Sequence, residues 1–283
     1  MDNKVTGDRI KQHFHYDWYK YVAIAVVCIF VFVLVYTWSG NHRSYEELDT
    51  MFTCYDFYDA DFASDALDYL NETCEGNIVK RINVQNVSPQ SQNWGEIISS
   101  YGFGDRTSFL ILPESKIDQY AKMFMCMFNT RMPDGAYNAD VWRRIIPEEL
   151  KEFYAVPENA DDCFRAIEKA HTDCDSGEIT VEERDKIQEE QYKLLNTLNE
   201  NLYFAKDADG YEGVYALRID NLPNVSSYLA LEDKKYEKEK YYLVMHYHNG
   251  NIGEYGNSDK TRDHYESFYL IRFLLTRYGV ETA

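Results

Sequence analysis

The chain has 283 residues and carries 48 acidic against 29 basic side chains, a formal net charge of −19. Phosphate recognition needs a basic face, so this balance argues against a nucleic-acid partner. Six cysteines without a C-x-x-C pair exclude zinc-ribbon spacing, and the five outside the apolar run cannot all be paired.

Taken from the amino end, residues 1–20 are a polar tail and residues 21–38 form an unbroken apolar run with nothing more polar than Thr37. At about 1.5 Å per residue such a run spans roughly 27 Å, close to the roughly 30 Å of bilayer hydrocarbon. Trp18, Tyr19 and Tyr21 precede it and Tyr36 and Trp38 close it, where amphipathic rings favour the headgroup layer. A cleaved export signal has a shorter apolar core and a small-residue cleavage site, which YTWSGNHRS matches poorly. No lipobox precedes Cys28. A retained transmembrane anchor is therefore favoured over a signal peptide and over a buried core helix. Lys4, Arg9, Lys11 and Lys20 lie before the run, against Arg43 after it, which predicts a cytosolic amino terminus and an extracytoplasmic remainder. The tail has four basic and three acidic groups, leaving the outer part near −20, a charge that suits a soluble domain and admits cationic ligands.

After a linker at 39–48, an α/β lobe is expected over 49–128. DTMFTCYDF reads as a strand, FASDALDYLNETC as a helix that Asp61 can cap, and IVKRINVQNV alternates as a strand. NWGEIISSYG is a short helix, TSFLILP a third strand, and ESKIDQYAKMFMCMF an amphipathic helix with Cys126 near its end. Strand-helix succession predicts a parallel or mixed sheet with ligands beyond the strands' carboxyl ends. That edge would display Asp56, Tyr58, Asp59 and Asp61 after the first strand, and Glu114 and Ser115 after the third. Residues 129–201 read as a charged helical insertion. Residues 202–283 return to α/β character, with strands LYFAK, GVYALRI and KYYLVMHYH and a terminal helix DHYESFYLIRFLLTRYG.

HFHYDWYKY ahead of the span, TSFLILP running into PES, and GVYALRIDNL with YYLVMHYHNGN before the last helix together look like short N-terminally anchored membrane proteins of Gram-positive anaerobes. The outer part of those proteins is similar to a reduced periplasmic-binding-protein (solute-binding) lobe. The resemblance implies binding-protein-like lobes with a cleft between two α/β parts, and it implies no catalytic residue.

Setting Gly177 at position 6 of a calcium loop in HTDCDSGEITVEE puts Glu183 at position 12, but Thr172, Cys174 and Ser176 at positions 1, 3 and 5 mismatch a hard cation. A calcium ion, the one cofactor this pattern suggests, would be held by Asp173, Asp175 and Glu183 in a distorted loop; Thr180 and Glu183 also form a T-x-x-E capping box that explains the glutamate without metal. His246 and His248 share a strand face and His264 follows, a pattern expected of surface histidines more than of zinc ligands. No G-x-S-x-G, H-E-x-x-H or phosphate-cradling glycine loop occurs, so an enzyme is not expected. The reading is a membrane-tethered extracytoplasmic module that binds a solute, a glycan or peptide, or a protein partner, alongside a transporter in one form of the idea. The alternative is a structural or assembly protein of the cell envelope that acts through the helical insertion and has no small-molecule ligand.

Overall fold

The computed structural model describes residues 7–40, 46–102, 107–117, 125–126, 129–131, 144–206, 212–235, 238–246, 253–255, 259–264 and 266–280. Two compact units divide the chain, residues 1–43 and 44–283. The first holds one helix, α1 (Gly7–Gly40), in which His15–Thr37 is 23 residues of mean hydropathy 2.4 with none of that window buried. A helix of a soluble core would be buried; this one is long and apolar enough to cross a membrane. Thr37 donates its hydroxyl to the Val33 carbonyl at 2.7 Å, and Lys20 pairs with Asp17 at 2.6 Å near the amino end of the apolar window.

The second unit is built on one mixed sheet. Its strands are β1 (Glu47–Phe52), β3 (Arg81–Asn86), β4 (Thr107–Pro113), β5 (Met125–Cys126), β6 (Asn129–Arg131), β7 (Leu202–Lys206), β8 (Glu212–Arg218) and β10 (Tyr241–His246). The short strands β2 (Asp56–Phe57) and β9 (Leu229–Ala230) pair separately, as do β11 (Gly253–Tyr255) and β12 (Asp259–His264). β3, β1 and β4 run parallel in that order, and β10 joins β4 antiparallel, followed by β8 and β7. β10 and β8 bond directly at Tyr242 and Leu243, then diverge to accept β5 and β6 respectively. Strands from residues 49–128 and from 202–283 thus share one sheet, and the two stretches expected as lobes are continuous through the β4–β10 pair.

Alternation along the strands feeds two cores. Phe109, Ile111, Leu243 and Met245 face the larger one; Leu110, Leu112, Tyr242 and Val244 face the smaller. β8 breaks the alternation at a bulge, where Tyr203 pairs with Ala216 and Phe204 with Val214, so Tyr215 is the extra residue. Val214 and Leu217 consequently reach one core, and Tyr215 and Ala216 the other. Over the larger core lie α2 (Phe62–Thr73), α4 (Ala160–Asp175), α5 (Val181–Leu198) and the terminal helix α6 (Glu266–Gly279). Over the smaller lies α3 (Trp94–Gly102), placing Trp94 and Ile98 on the sheet with Ile117. Phe52, Phe62 and Phe109 meet edge to face with centroids 5.3 to 6.4 Å apart, which fixes α2 over β1 and β4.

Two local expectations change. Asp61 occupies the N-cap position of α2 but its side chain makes no capping bond. Of the helix expected over 114–128, residues 114–117 are helical, whereas Met125 and Cys126 form a strand because the diverging end of β10 offers Met245 and His246 as backbone partners. Residues 118–124 lie outside the described residues.

Candidate functional site

The carboxyl ends of β1, β3 and β4 lie on one edge of the sheet, since the three strands are parallel. Asp56, Tyr58 and Asp61 are exposed there, Tyr58 at 57%. Glu114 is exposed and donates its backbone N–H to the Lys240 carbonyl at 2.8 Å; Ser115 donates its hydroxyl to Glu239 Oε2 at 2.9 Å. Ser115, Tyr55, Gln90, Lys116, Asp233 and Tyr241 contribute to a crevice of about 150 Å³. That space admits a ligand of only a few heavy atoms, below the range of about 300 to 1,000 Å³ typical of ligand pockets.

Asp59 does not belong to this display. It is 3% exposed and its carboxylate accepts bonds from Arg277 Nε (2.8 Å), Arg277 Nη2 (2.5 Å) and the Tyr278 hydroxyl (3.2 Å). Arg277 spends its remaining fork on Asp65 Oδ2 at 2.7 Å and lies over the Tyr228 ring at 5.0 Å. Burial pulls the guanidinium down, yet the hydrogen bonds to Asp59 and Asp65 outweigh it and hold the group above its usual range. Burial, then the Asp59 charge, pushes the Tyr278 hydroxyl up. Asp59 is thus a fastener between the β1 loop and α6, and its role needs a partner 218 residues away.

A second concavity is a groove of about 500 Å³ between α5 and β7, lined by Asp185, Gln188, Tyr192 and Lys193 from the helix and Tyr203 and Lys206 from the strand. β7 is an edge strand, paired only with β8 among the described residues. Its outward backbone is engaged at the centre and start of the strand: Asn196 accepts from the Phe204 N–H at 2.6 Å and donates to the Phe204 carbonyl at 3.3 Å, and the Leu202 N–H donates to the Asn199 carbonyl at 3.1 Å. Recognition in the groove therefore falls to side chains. Tyr203 is braced from below by the Tyr242 ring, centroids 5.5 Å apart, and Gln188 is held by His171 at 2.9 Å. On the rim Lys193 bonds Glu189 at 2.6 Å, an interaction that raises the amine and lowers the carboxyl from their ordinary values. The groove supplies rings, amides and charges of both signs. Sequence patterns do not reveal it, because it requires β7 and α5 to be brought side by side by the fold.

Asp173, Asp175 and Glu183 are not assembled as a metal set; among the described residues no group of three or more His, Cys, Asp or Glu side chains could hold a metal ion. Asp173 and Asp175 lie in the last turn of α4, where Asp173 pairs with Lys169. Glu183 completes the capping box with Thr180, whose N–H and hydroxyl donate to Glu183 Oε2 at 2.8 and 3.0 Å and hold its carboxyl below the usual range. Gly177, at φ +80°, closes the turn between the two helices in the left-handed region that favours glycine. These residues do not fit calcium as placed. His248 lies outside the described residues.

Cys54, Cys74 and Cys163 are buried, and Cys174 is half-buried. Cys54 donates its thiol to Asn86 Oδ1 at 3.1 Å; burial, reinforced by Asp56, pushes that thiol up to about 12, which removes it as a nucleophile at neutral pH. Compared with protein-family models, with curated proteins and with solved structures, the chain gives no match.

Proposed function

We propose that this protein is a non-enzymatic binding module tethered to the cell membrane by residues 21–38, with a cytosolic amino terminus and an extracytoplasmic α/β domain. The groove between α5 and β7 is its ligand seat, and that groove is the observation that carries the reading. Its volume suits a saccharide or a short peptide. Tyr192 and Tyr203 offer ring faces with polar tips, and Asp185, Lys193 and Lys206 offer charges that orient a polar ligand. Docking beside a transporter accords with a module held at the membrane.

A thermal-shift screen of the full chain in detergent micelles against sugars, amino acids, short peptides and divalent ions tests the seat, because a ligand of the native state raises apparent stability by mass action. A specific stabilisation that disappears in Tyr192→Ala is the expected result. Stabilisation that survives Tyr192→Ala, or none with any class, rejects the groove. Protease added to intact cells tests the topology: digestion of the carboxyl-terminal domain supports it, and full protection reverses it.

The assembly reading rests on a different observation. α5 buries only Leu195 and leaves Val181 and Leu194 about half exposed, which suits a helix that contacts another membrane component. Crosslinking from Leu194 in membranes, with the thermal-shift screen blank, would favour it.

A further inference from the structure

The two edges of the sheet are finished differently. On β7 Asn196 occupies the outward N–H and C=O of Phe204 and the Asn199 carbonyl takes the Leu202 N–H, which obstructs strand addition along that edge. Among the described residues nothing equivalent is present on β3, which pairs there with β1 alone. Val87 donates to Phe52 and the Asn83 carbonyl accepts from Thr50 Oγ1, so odd-numbered residues of β3 turn their backbone groups toward β1. The N–H and C=O groups of Ile82, Val84 and Asn86 therefore point to the open edge, and no partner meets them among the described residues.

The chemistry of that edge also differs from the rest of the chain. Residues 76–95 contain no Asp or Glu, in a chain with 48 of them, and they include Lys80 and Arg81. Lys80 is taken by Glu46 at 2.6 Å, and Asp49 is taken by Asn83 at 2.7 Å. Arg81 is exposed and makes no ion pair among the described residues. Among the described residues the strip thus presents an open backbone ladder, the flank of Val84, and the guanidinium of Arg81 without an ion pair.

We infer that the outer edge of β3 docks an extended segment of a partner protein by strand addition, a segment of uncharged β-forming residues with a single carboxylate set beside Arg81. Main-chain bonds would supply the affinity, and the Arg81–carboxylate pair would fix the register. A strongly acidic segment is excluded by the −19 charge of the whole chain. A second copy is the poorer occupant. RINVQN contains no acid, so β3 laid against itself gives Arg81 no carboxylate in either direction.

The test uses a fluorescein-labelled short peptide of alternating Thr and Val with one central Glu, titrated by anisotropy against the full chain in detergent micelles. Saturable binding is expected, weakened about tenfold or more when alternate peptide amides are N-methylated, because the ladder is the main contact. Exchanging the peptide Glu for Lys, or Arg81→Glu, is expected to weaken it about fivefold at low salt and less at high salt. Val84→Pro removes an outward N–H without touching the β1 ladder and should reproduce the loss; a circular dichroism spectrum and melting curve establish that this variant folds, and the methylated peptide tests the same bond on unaltered protein. Equal binding of the methylated peptide, or no saturation, overturns the inference. A dimer in sedimentation that Val84→Pro dissolves assigns the edge to a second copy and overturns the choice of occupant.

Discussion

The terminal helix α6 and the surface helix α5 are built on opposite plans. α6 has 14 residues and buries nine of them, among them Phe268, Leu270, Ile271, Leu274 and Leu275. α5 has 18 residues and buries Leu195 alone. The first helix owes its place to tertiary packing. The second depends on a capping box at its start and on its contact with α4 and β7, and solvated ion pairs such as Lys193–Glu189 on its flank add little. The contrast teaches where function has room. A helix that contributes little to the core can expose a groove without loss of the fold.

The largest expected effect is at the fastener on α6. Arg277→Met leaves the Asp59 carboxylate, at 1% side-chain exposure, with the Tyr278 hydroxyl as its one donor among the described residues. Stranding a buried charge costs about 3 to 5 kcal/mol, so denaturant unfolding of the full chain should show a loss of that order. A loss below about 1 kcal/mol would mean that water reaches Asp59 and that α6 is held by apolar packing alone.

Next comes a matched pair of truncations. Leu274→Ala, at a fully buried position on α6, should cost about 3 kcal/mol, and Leu194→Ala, 47% exposed on α5, should cost less than about 0.5 kcal/mol in the same assay. Comparable costs would erase the distinction between the two helices and imply that α5 is covered by a partner or a second copy.

What the sequence made legible follows the range of the interactions involved. A short apolar run closed by proline, such as TSFLILP, and the T-x-x-E box at Thr180 are local patterns, and each is found at its expected place. The mixed sheet depends on β4 meeting β10, a pairing between residues more than a hundred positions apart that no local pattern encodes. Asp59 illustrates the same limit. Between exposed Tyr58 and exposed Ala60 it reads as one more acid on a loop, and only Arg277 explains its burial. The groove eluded the sequence for the same reason, since α5 looks like a solvated helix until β7 is laid along it.

A smaller effect probes how α5 begins. Thr180→Ala deletes the acceptor for the Glu183 N–H and should cost about 1 kcal/mol, confined to α5 and visible as faster amide exchange in its first turn. Because the Glu183 carboxyl is held below its usual value, first by the Thr180 backbone N–H, its contribution is present above the ordinary carboxyl value of 4.5 and is lost as pH falls through the lower folded value. Wild-type protein should therefore reproduce the exchange pattern of Thr180→Ala on acidification, whereas α6 protection should stay unchanged by that variant.

The smallest effect separates stability from recognition on α5. Lys193 and Glu189 have side-chain exposures of 71% and 66%, and an ion pair so solvated contributes little to folding. Lys193→Ala should leave the unfolding midpoint of the full chain unchanged. In the groove the same ammonium stands at the rim beside Tyr192 and Lys206, so its removal should still weaken any ligand that the thermal-shift screen identifies with a polar or anionic group. An unchanged midpoint with weakened binding places Lys193 in recognition. If the midpoint falls and binding holds, the α5 rim is scaffolding, and the groove loses its claim as the seat.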